Sequence, residues 1–390
     1  MPKPIEVLLS TKGHPFQKGP FFGMFDSFAA QGINTTSVEM PAAQLFYQPE
    51  NAKPYDVIVD YSMQGVGFGR KAGDPAPEPP EAFKKGIMEL MEAGTHGFVF
   101  IHHHACSWPA WPEYAEIVGG AFLYYPATLR GKEMPDSGYL LAVNSTYVVT
   151  NPVHPVTQGL PAQFDLQDEL YLAPYFEEDV VPLVRSNFEF VDDNFFSPYQ
   201  VVGNGKMFNR DGWSHPPASN MVCWAKNYKN SPIVYIQAGD VPTSYNNPNY
   251  QKLMANAIKW VASDAAKKWA RERNAGKSVN PKETVKVAAK PNRWPHEYAD
   301  AKASDGKRCL FCSKDGVERY GGEFLMHSVS NGKLQFTGPL CGNCHPMLMN
   351  TKLDTNNWRL VPARRRLKRK GTKKRSFDSV RSSTSKPLSL

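Results

Sequence analysis

The chain has 390 residues, enough for two or three domains, and its 41% hydrophobic and 12% aromatic content supports a buried core and excludes a disordered polymer. Its formal charge of +8 is unevenly placed: thirteen Lys or Arg against Asp354 and Asp378 follow residue 350, which leaves the first 350 residues slightly acidic at −3 and excludes a generally basic body. No apolar run approaches the roughly 20 residues of a spanning helix, and the opening MPKPIEVLLSTKGHPF is too short in apolar residues for a signal peptide. A protein without membrane partners is expected, cytoplasmic in address, or nuclear if its cell has a nucleus.

In chain order, Ile5 to Ser10 reads as a short buried strand, followed by a polar loop carrying Gly13, His14 and Pro15. Phe21, Phe22, Phe25 and Phe28 recur at helical spacing, and Gly32 stops that helix. Ile33 to Val38 and Tyr55 to Tyr61 follow as strands, the second β-branched enough for burial on both faces. Phe83, Ile87, Leu90 and Met91 share one face of a helix over Glu81 to Ala93, closed by Gly94, and Gly97 to Ile101 is the next strand. Residues 121–231 are irregular and suit insertions or antiparallel strands, before a late strand over Pro232 to Gln237 and a closing helix from Pro248 through Trp260. Strands alternating with helices imply parallel pairing and a doubly wound α/β sheet of flavodoxin-like type.

That domain spans residues 1–270, and residues 271–306, rich in Lys, Ala, Asn and Asp, read as a linker. Cys309-x-x-Cys312 and Cys341-x-x-Cys344, in residues 307–350, are two knuckles suited to a closed, structural zinc site of four cysteines. The 28 residues between them leave room for a hairpin at the Gly321-Gly322 and Asn331-Gly332 turn signals, and His327 and His345 are substitutes for one ligand. Residues 351–390 form a basic tail expected to be disordered, whose 364–375 run suits nucleic acid or another polyanion without base specificity.

The chemistry centres on His102, His103 and His104. In doubly wound sheets ligands bind beyond the carboxyl ends of the strands, and both this cluster and the His14 loop lie at that edge by chain polarity. Adjacent side chains diverge, so one or two of the three are expected to face a ligand. Asp168 and Glu169 supply adjacent carboxylates before Tyr171, and histidine with carboxylate is the equipment of proton transfer or of a metal ligand set.

The run GFVFIHHHACSWPAWPEYAEIVGGAF, then NPVHPVTQGLP and DELY, resembles the trehalose-utilisation (ThuA-like) family. GHPF, YDVIVDY, Gly119-Gly120 and a closing helix ending in IKW agree in order, over residues 5 to about 262. The resemblance implies a class I glutamine amidotransferase-like fold and a role in sugar metabolism. Amidotransferases carry a cysteine nucleophile in the turn after this strand; here Phe100-Ile101-His102-His103-His104 occupies it, and Cys106 comes four residues late, which argues against glutamine hydrolysis. The family's late Gly-His-Asp turn is here Ala238-Gly239-Asp240, with the carboxylate but without the histidine.

An enzyme acting on trehalose, a related disaccharide or an oxidised sugar is therefore expected, as hydrolase, lyase or isomerase. His102 takes the nucleophile's place, His103 or His104 serves as general acid/base, and Glu113 or Asp240 assists. His14, Trp108 and His154 are the substrate-binding candidates, and whether the main domain holds a metal is open. The alternatives are a non-catalytic sugar-binding or regulatory module, and a zinc-module protein that contacts nucleic acid through its tail.

Overall fold

The computed structural model describes residues 3–277 and 283–287, together with the backbone of three strands within 324–362. Its first half follows the expected alternation: β1 (Ile5–Thr11), α1 (Lys18–Ser27), β2 (Ile33–Glu39), α2 (Pro49–Ala52), β3 (Val57–Asp60), α3 (Glu81–Ala93) and β4 (Gly97–Ile101). Every residue of β3 and β4 is buried, as strands covered on both faces require. Phe83, Ile87, Leu90 and Met91 of α3 are also buried, and burial of such a side chain contributes roughly 1.5–3 kcal/mol.

The second half contains α4 (Pro112–Val118), a small hairpin of β5 (Ala127–Leu129) and β6 (Lys132–Met134), then β7 (Gly138–Val149), β8 (Gln163–Leu172), β9 (Val181–Ser186), α5 (Pro198–Asn204), β10 (Met221–Tyr228) and β11 (Ser231–Ile236). Helices α6 (Pro242–Tyr245), α7 (Pro248–Ala262) and α8 (Asp264–Asn274) complete it.

Nine of these strands form one sheet in the order β2-β1-β3-β4-β11-β10-β9-β7-β8. The five from β2 to β11 are parallel, in the 2-1-3-4-5 order of flavodoxin-like sheets. From β11 onward every pairing is antiparallel. The expectation of a doubly wound sheet thus holds for the parallel half, and the antiparallel strands expected within residues 121–231 extend it on one side. The two residues Lys229-Asn230 join β10 to β11, a connection only antiparallel neighbours accept.

The linker's expected start at residue 271 is too early, because α8 runs to Asn274. Ser263 caps that helix by accepting the Ala266 N–H at 3.1 Å, and Ala266 and Ala270 bury its narrow apolar face. Residues 283–287 also return to the domain. Glu283 pairs with Arg185 of β9 at 2.7 Å, and the Thr284 N–H donates to the Thr150 carbonyl at 3.0 Å.

Further on, β12 (Phe324–Ser330), β13 (Lys333–Leu340) and β14 (Trp358–Pro362) form an antiparallel sheet in the order β13-β12-β14. Ser330 pairs with Lys333 across Asn331-Gly332, where the sequence carries its turn signal, and β14 falls within the segment assigned to the tail. Cys309, Cys312, Cys341, Cys344 and the 364–375 basic run lie outside the described residues. No helix among the described residues is long and apolar enough to cross a membrane.

Candidate functional site

The parallel strands bring three loops to one edge of the sheet: β1 leads to Gly13-His14, β4 to His102, and β11 to Gly239-Asp240. Gly13, at φ +105°, is required there, since a Cβ on it would meet the Met63 carbonyl oxygen at 1.8 Å. From the antiparallel half, β8 delivers Glu169 and Tyr171 to the same place. Alternation along the strand puts these two on one face and Asp168 on the other.

His102 follows β4 directly and adopts φ +51°, a left-handed conformation that strains any residue with a Cβ. The Tyr235 hydroxyl donates to its carbonyl at 2.8 Å, and its Nδ1–H donates to the Gln237 carbonyl at 2.7 Å. Gly239 permits this packing, since a Cβ there would come within 2.8 Å of Ile101 Cγ2. A carbonyl only accepts, so Nδ1 carries a proton and Nε2 is the nitrogen that faces the site. Glu169 Oε2 lies 3.2 Å from Nε2, Asp240 Oδ1 3.4 Å and the Tyr171 hydroxyl 3.0 Å. His102, Glu169 and Asp240 each offer one ligand atom, all within 4.8 Å of one another, and are the set able to hold a cation.

Burial pushes the Glu169 carboxyl above its ordinary range, against the pull of its hydrogen bond to His102. Burial acts the same way on Asp240, but the His102 hydrogen bond and the charges of His102 and His14 outweigh it and bring Asp240 down. Burial opposes a charge on His102, yet contacts with Asp240 and Glu169 raise its pKa well above the ordinary value. Asp168 supports the others: its carboxylate accepts the Gly239 N–H at 2.7 Å, the Asp240 N–H at 3.1 Å and the Ser244 hydroxyl, which fixes the Asp240 turn.

Glu169 and Asp240 open onto a cavity of about 520 Å³, the size of a small-molecule site. Phe16, Phe68, Phe122, Tyr124, Tyr139 and Met207 are among its walls, His14 stands at its rim 28% exposed, and no Lys or Arg is among the described residues that line it. His102 lies behind the carboxylates with 0% exposure.

Of the residues expected from sequence, His102, Asp240 and His14 come together. His103 lies next to them but is buried; its Nε2 bonds the Tyr61 carbonyl at 2.8 Å and its ring packs 4.7 Å from that of His14. Burial, with His14 and His102 nearby, lowers its pKa well below the ordinary value. His104 points the other way, bonding the Ser62 carbonyl at 3.0 Å and the Tyr114 hydroxyl at 2.8 Å beside Asp60. Neither lines the cavity.

Glu113 is also elsewhere, accepting a hydrogen bond from Tyr228 of β10. Trp108 is packed against Phe83 and the Gly65 loop and is absent from the cavity walls. His154 accepts the Val156 N–H at 3.3 Å and rests on Trp260, near the starting end of β4, where Val261 meets Gly97. It stabilises a turn at the opposite edge of the sheet. Burial raises the Cys106 thiol well above its usual value, as suits a packed side chain rather than a nucleophile. Glu169 is the residue that sequence reasoning left without a role of its own, although the DELY motif and strand alternation carried the signal.

The family model for ThuA, trehalose utilisation, matches residues 10–261. Among solved structures, a ThuA-like protein from Parabacteroides merdae is 16% identical with a TM-score of 0.46, covering 67% of this chain and 91% of its own. A ThuA-like protein from Bacteroides uniformis is 19% identical with a TM-score of 0.47, covering 68% and 94%. A cytoplasmic protein of Salmonella typhimurium is 14% identical with a TM-score of 0.40, covering 66% and 99%. No curated protein matches the chain. With the family model spanning well over half of its length, the chain belongs to the ThuA trehalose-utilisation family.

Proposed function

We propose that the chain is an enzyme of carbohydrate utilisation that performs acid/base chemistry on a neutral disaccharide such as trehalose, or on its oxidised form, at His102, Glu169 and Asp240. The observation that carries this reading is a pair of buried carboxylates, both lining one cavity and both in contact with His102 Nε2. Burial favours the protonated form of Glu169 and contact with His102 the ionised form of Asp240, and environments that differ in this way assign an acid and a base. Glu169, which favours its protonated form, is the proton donor to a leaving oxygen, and Asp240, which stays ionised, is the acceptor. His102 holds both carboxylates and passes charge between them through Nε2, while Nδ1 stays tied to Gln237.

The cavity walls support the substrate class. Aromatic faces suit the apolar face of a sugar ring, and a lining without Lys or Arg gives nothing to a phosphate or carboxylate. Hydrolysis, elimination and isomerisation each fit this equipment. A ¹H NMR turnover screen of trehalose, other neutral disaccharides and their oxidised forms tests the reading. Wild type is expected to convert at least one of them and Glu169→Gln to lose that activity; turnover that survives Glu169→Gln and Asp240→Asn unchanged would refute the assignment.

A further inference from the structure

We propose that His102 Nε2, Glu169 Oε2 and Asp240 Oδ1 form a site for one divalent transition ion of the Zn²⁺ or Mn²⁺ kind, open toward the cavity. This rests on the same pocket being the working site: a bound ion displaces the protons of His102 Nε2 and Glu169 and takes over the charge balance that proton sharing provides in the ion-free site, and its test does not depend on which sugar is used.

The spacing is the first ground. Two ligands on a tetrahedral ion with bonds of about 2.0 Å stand about 3.3 Å apart, and here His102 Nε2 is 3.2 Å from Glu169 Oε2 and 3.4 Å from Asp240 Oδ1. The imidazole is already oriented for coordination, because the hydrogen bond from Nδ1–H to a backbone carbonyl is the support that metal-binding histidines use.

Unsatisfied atoms are the second ground. Asp240 Oδ2 has no hydrogen-bond partner although the side chain is only 3% exposed, and His14 Nδ1, 3.9 Å from Asp240 Oδ1, has none either. Buried polar atoms are almost always paired, so two orphans beside one carboxylate mark a place for something not supplied by the chain. No Lys or Arg reaches this group among the described residues that line the cavity. A cation offsets the two carboxylates, and three ligands with a face left open is the arrangement of a reactive rather than a structural site. One imidazole with two carboxylates suits Zn²⁺ or Mn²⁺ and is not the all-thiolate set of the C-terminal cysteines.

The experiment uses the full chain and Mn²⁺, which thiolates hold poorly, so the cysteine pairs do not mask the result. Free Mn²⁺ is followed by its EPR signal during titration. Wild type is expected to take up one ion per chain, with Glu169→Gln and Asp240→Asn weakened at least tenfold and His154→Asn unchanged. Folding of each variant is checked by circular dichroism. As a second reading on wild type itself, bound Mn²⁺ should broaden the ring signals of His14, His102 and His103 far more than that of His154, at the opposite edge of the sheet. Absence of uptake by wild type, equal affinity in the folded carboxylate variants, or broadening that spares His102 would each overturn the site. Sugar turnover persisting in chelator-treated, metal-free protein would also overturn it while leaving the proposed function standing. Mn²⁺ bound as expected, with every sugar refused, would support the site and count against the sugar reading.

Discussion

Two buried histidine–carboxylate clusters stand two residues apart in sequence, and they differ in what is left over. Around His104, both ring nitrogens and both Asp60 oxygens are engaged. Asp60 accepts the Ser62 N–H at 2.8 Å and a bond from Tyr47, lies 3.2 Å from His104 Nδ1, and is sealed at 1% exposure. Burial works to raise the Asp60 pKa, but the His104 charge and the bonds from His104, Tyr47 and Ser62 bring it below the ordinary value. Around His102 the carboxylates border a cavity, and one oxygen of Asp240 has no partner. Burial and charge are common to both; what separates the scaffold cluster from the proposed working site is unspent hydrogen-bonding capacity on a carboxylate that borders open space.

The contrast is breakable at several points. The largest expected effect is on turnover: Glu169→Gln should lower kcat/KM about 10²–10⁴-fold, as loss of a general acid does, with little change in melting temperature. Steady-state kinetics beside calorimetry checks this, and a stability loss equal to that of a His104 variant would erase the distinction. Next, His104→Ala should cost roughly 3–5 kcal/mol in urea unfolding, because Asp60 would be left as an uncompensated buried charge.

A smaller effect concerns the far edge of the sheet. Burial holds His154 down to about 4, so the folded state refuses a proton that the unfolded chain accepts near the ordinary 6.5. That stability is full above the unfolded value and is lost as pH falls toward the folded one. His154→Asn, which keeps the turn cap, should flatten the stability profile over this window by ~2–3 kcal/mol, and urea midpoints collected from pH 7 to 4 measure it. The smallest change is expected for Glu113→Gln, which retains a neutral bond to Tyr228: at most about 1 kcal/mol in stability and no loss of turnover.

Much of the parallel half was legible because its signals are local. The β-branched run of β3, the four-residue apolar face of α3 and the glycines at its end and after α1 each name an element without reference to the rest. Helix α8 was hidden because its buried face consists of two alanines within a run of charges, too small a stripe to stand out. The docking of Glu283 on Arg185 depends on residues 98 apart, and composition says nothing of it.

At the site, strand polarity brought His14, His102 and Asp240 to one edge, as topology requires. It did not tell His102 from His104, because the direction of each ring is set by the left-handed turn at His102 and by partners on β3 and β11 and just beyond their ends. Glu113 and His154 were misplaced for a related reason. Both sit beside prolines, Glu113 also between Trp111 and Tyr114, but their partners, Tyr228 and Trp260, lie away from the cavity.

The most direct test of the difference between the clusters is the pair Asp240→Asn and Asp60→Asn, each assayed for turnover and for thermal melting in the same buffer. Asp240→Asn is expected to melt within a few degrees of wild type and lose at least a hundredfold in kcat/KM, while Asp60→Asn melts earlier and keeps the activity of its folded fraction. An active Asp240→Asn, or an Asp60→Asn that folds as well as wild type but has no turnover, would contradict the account.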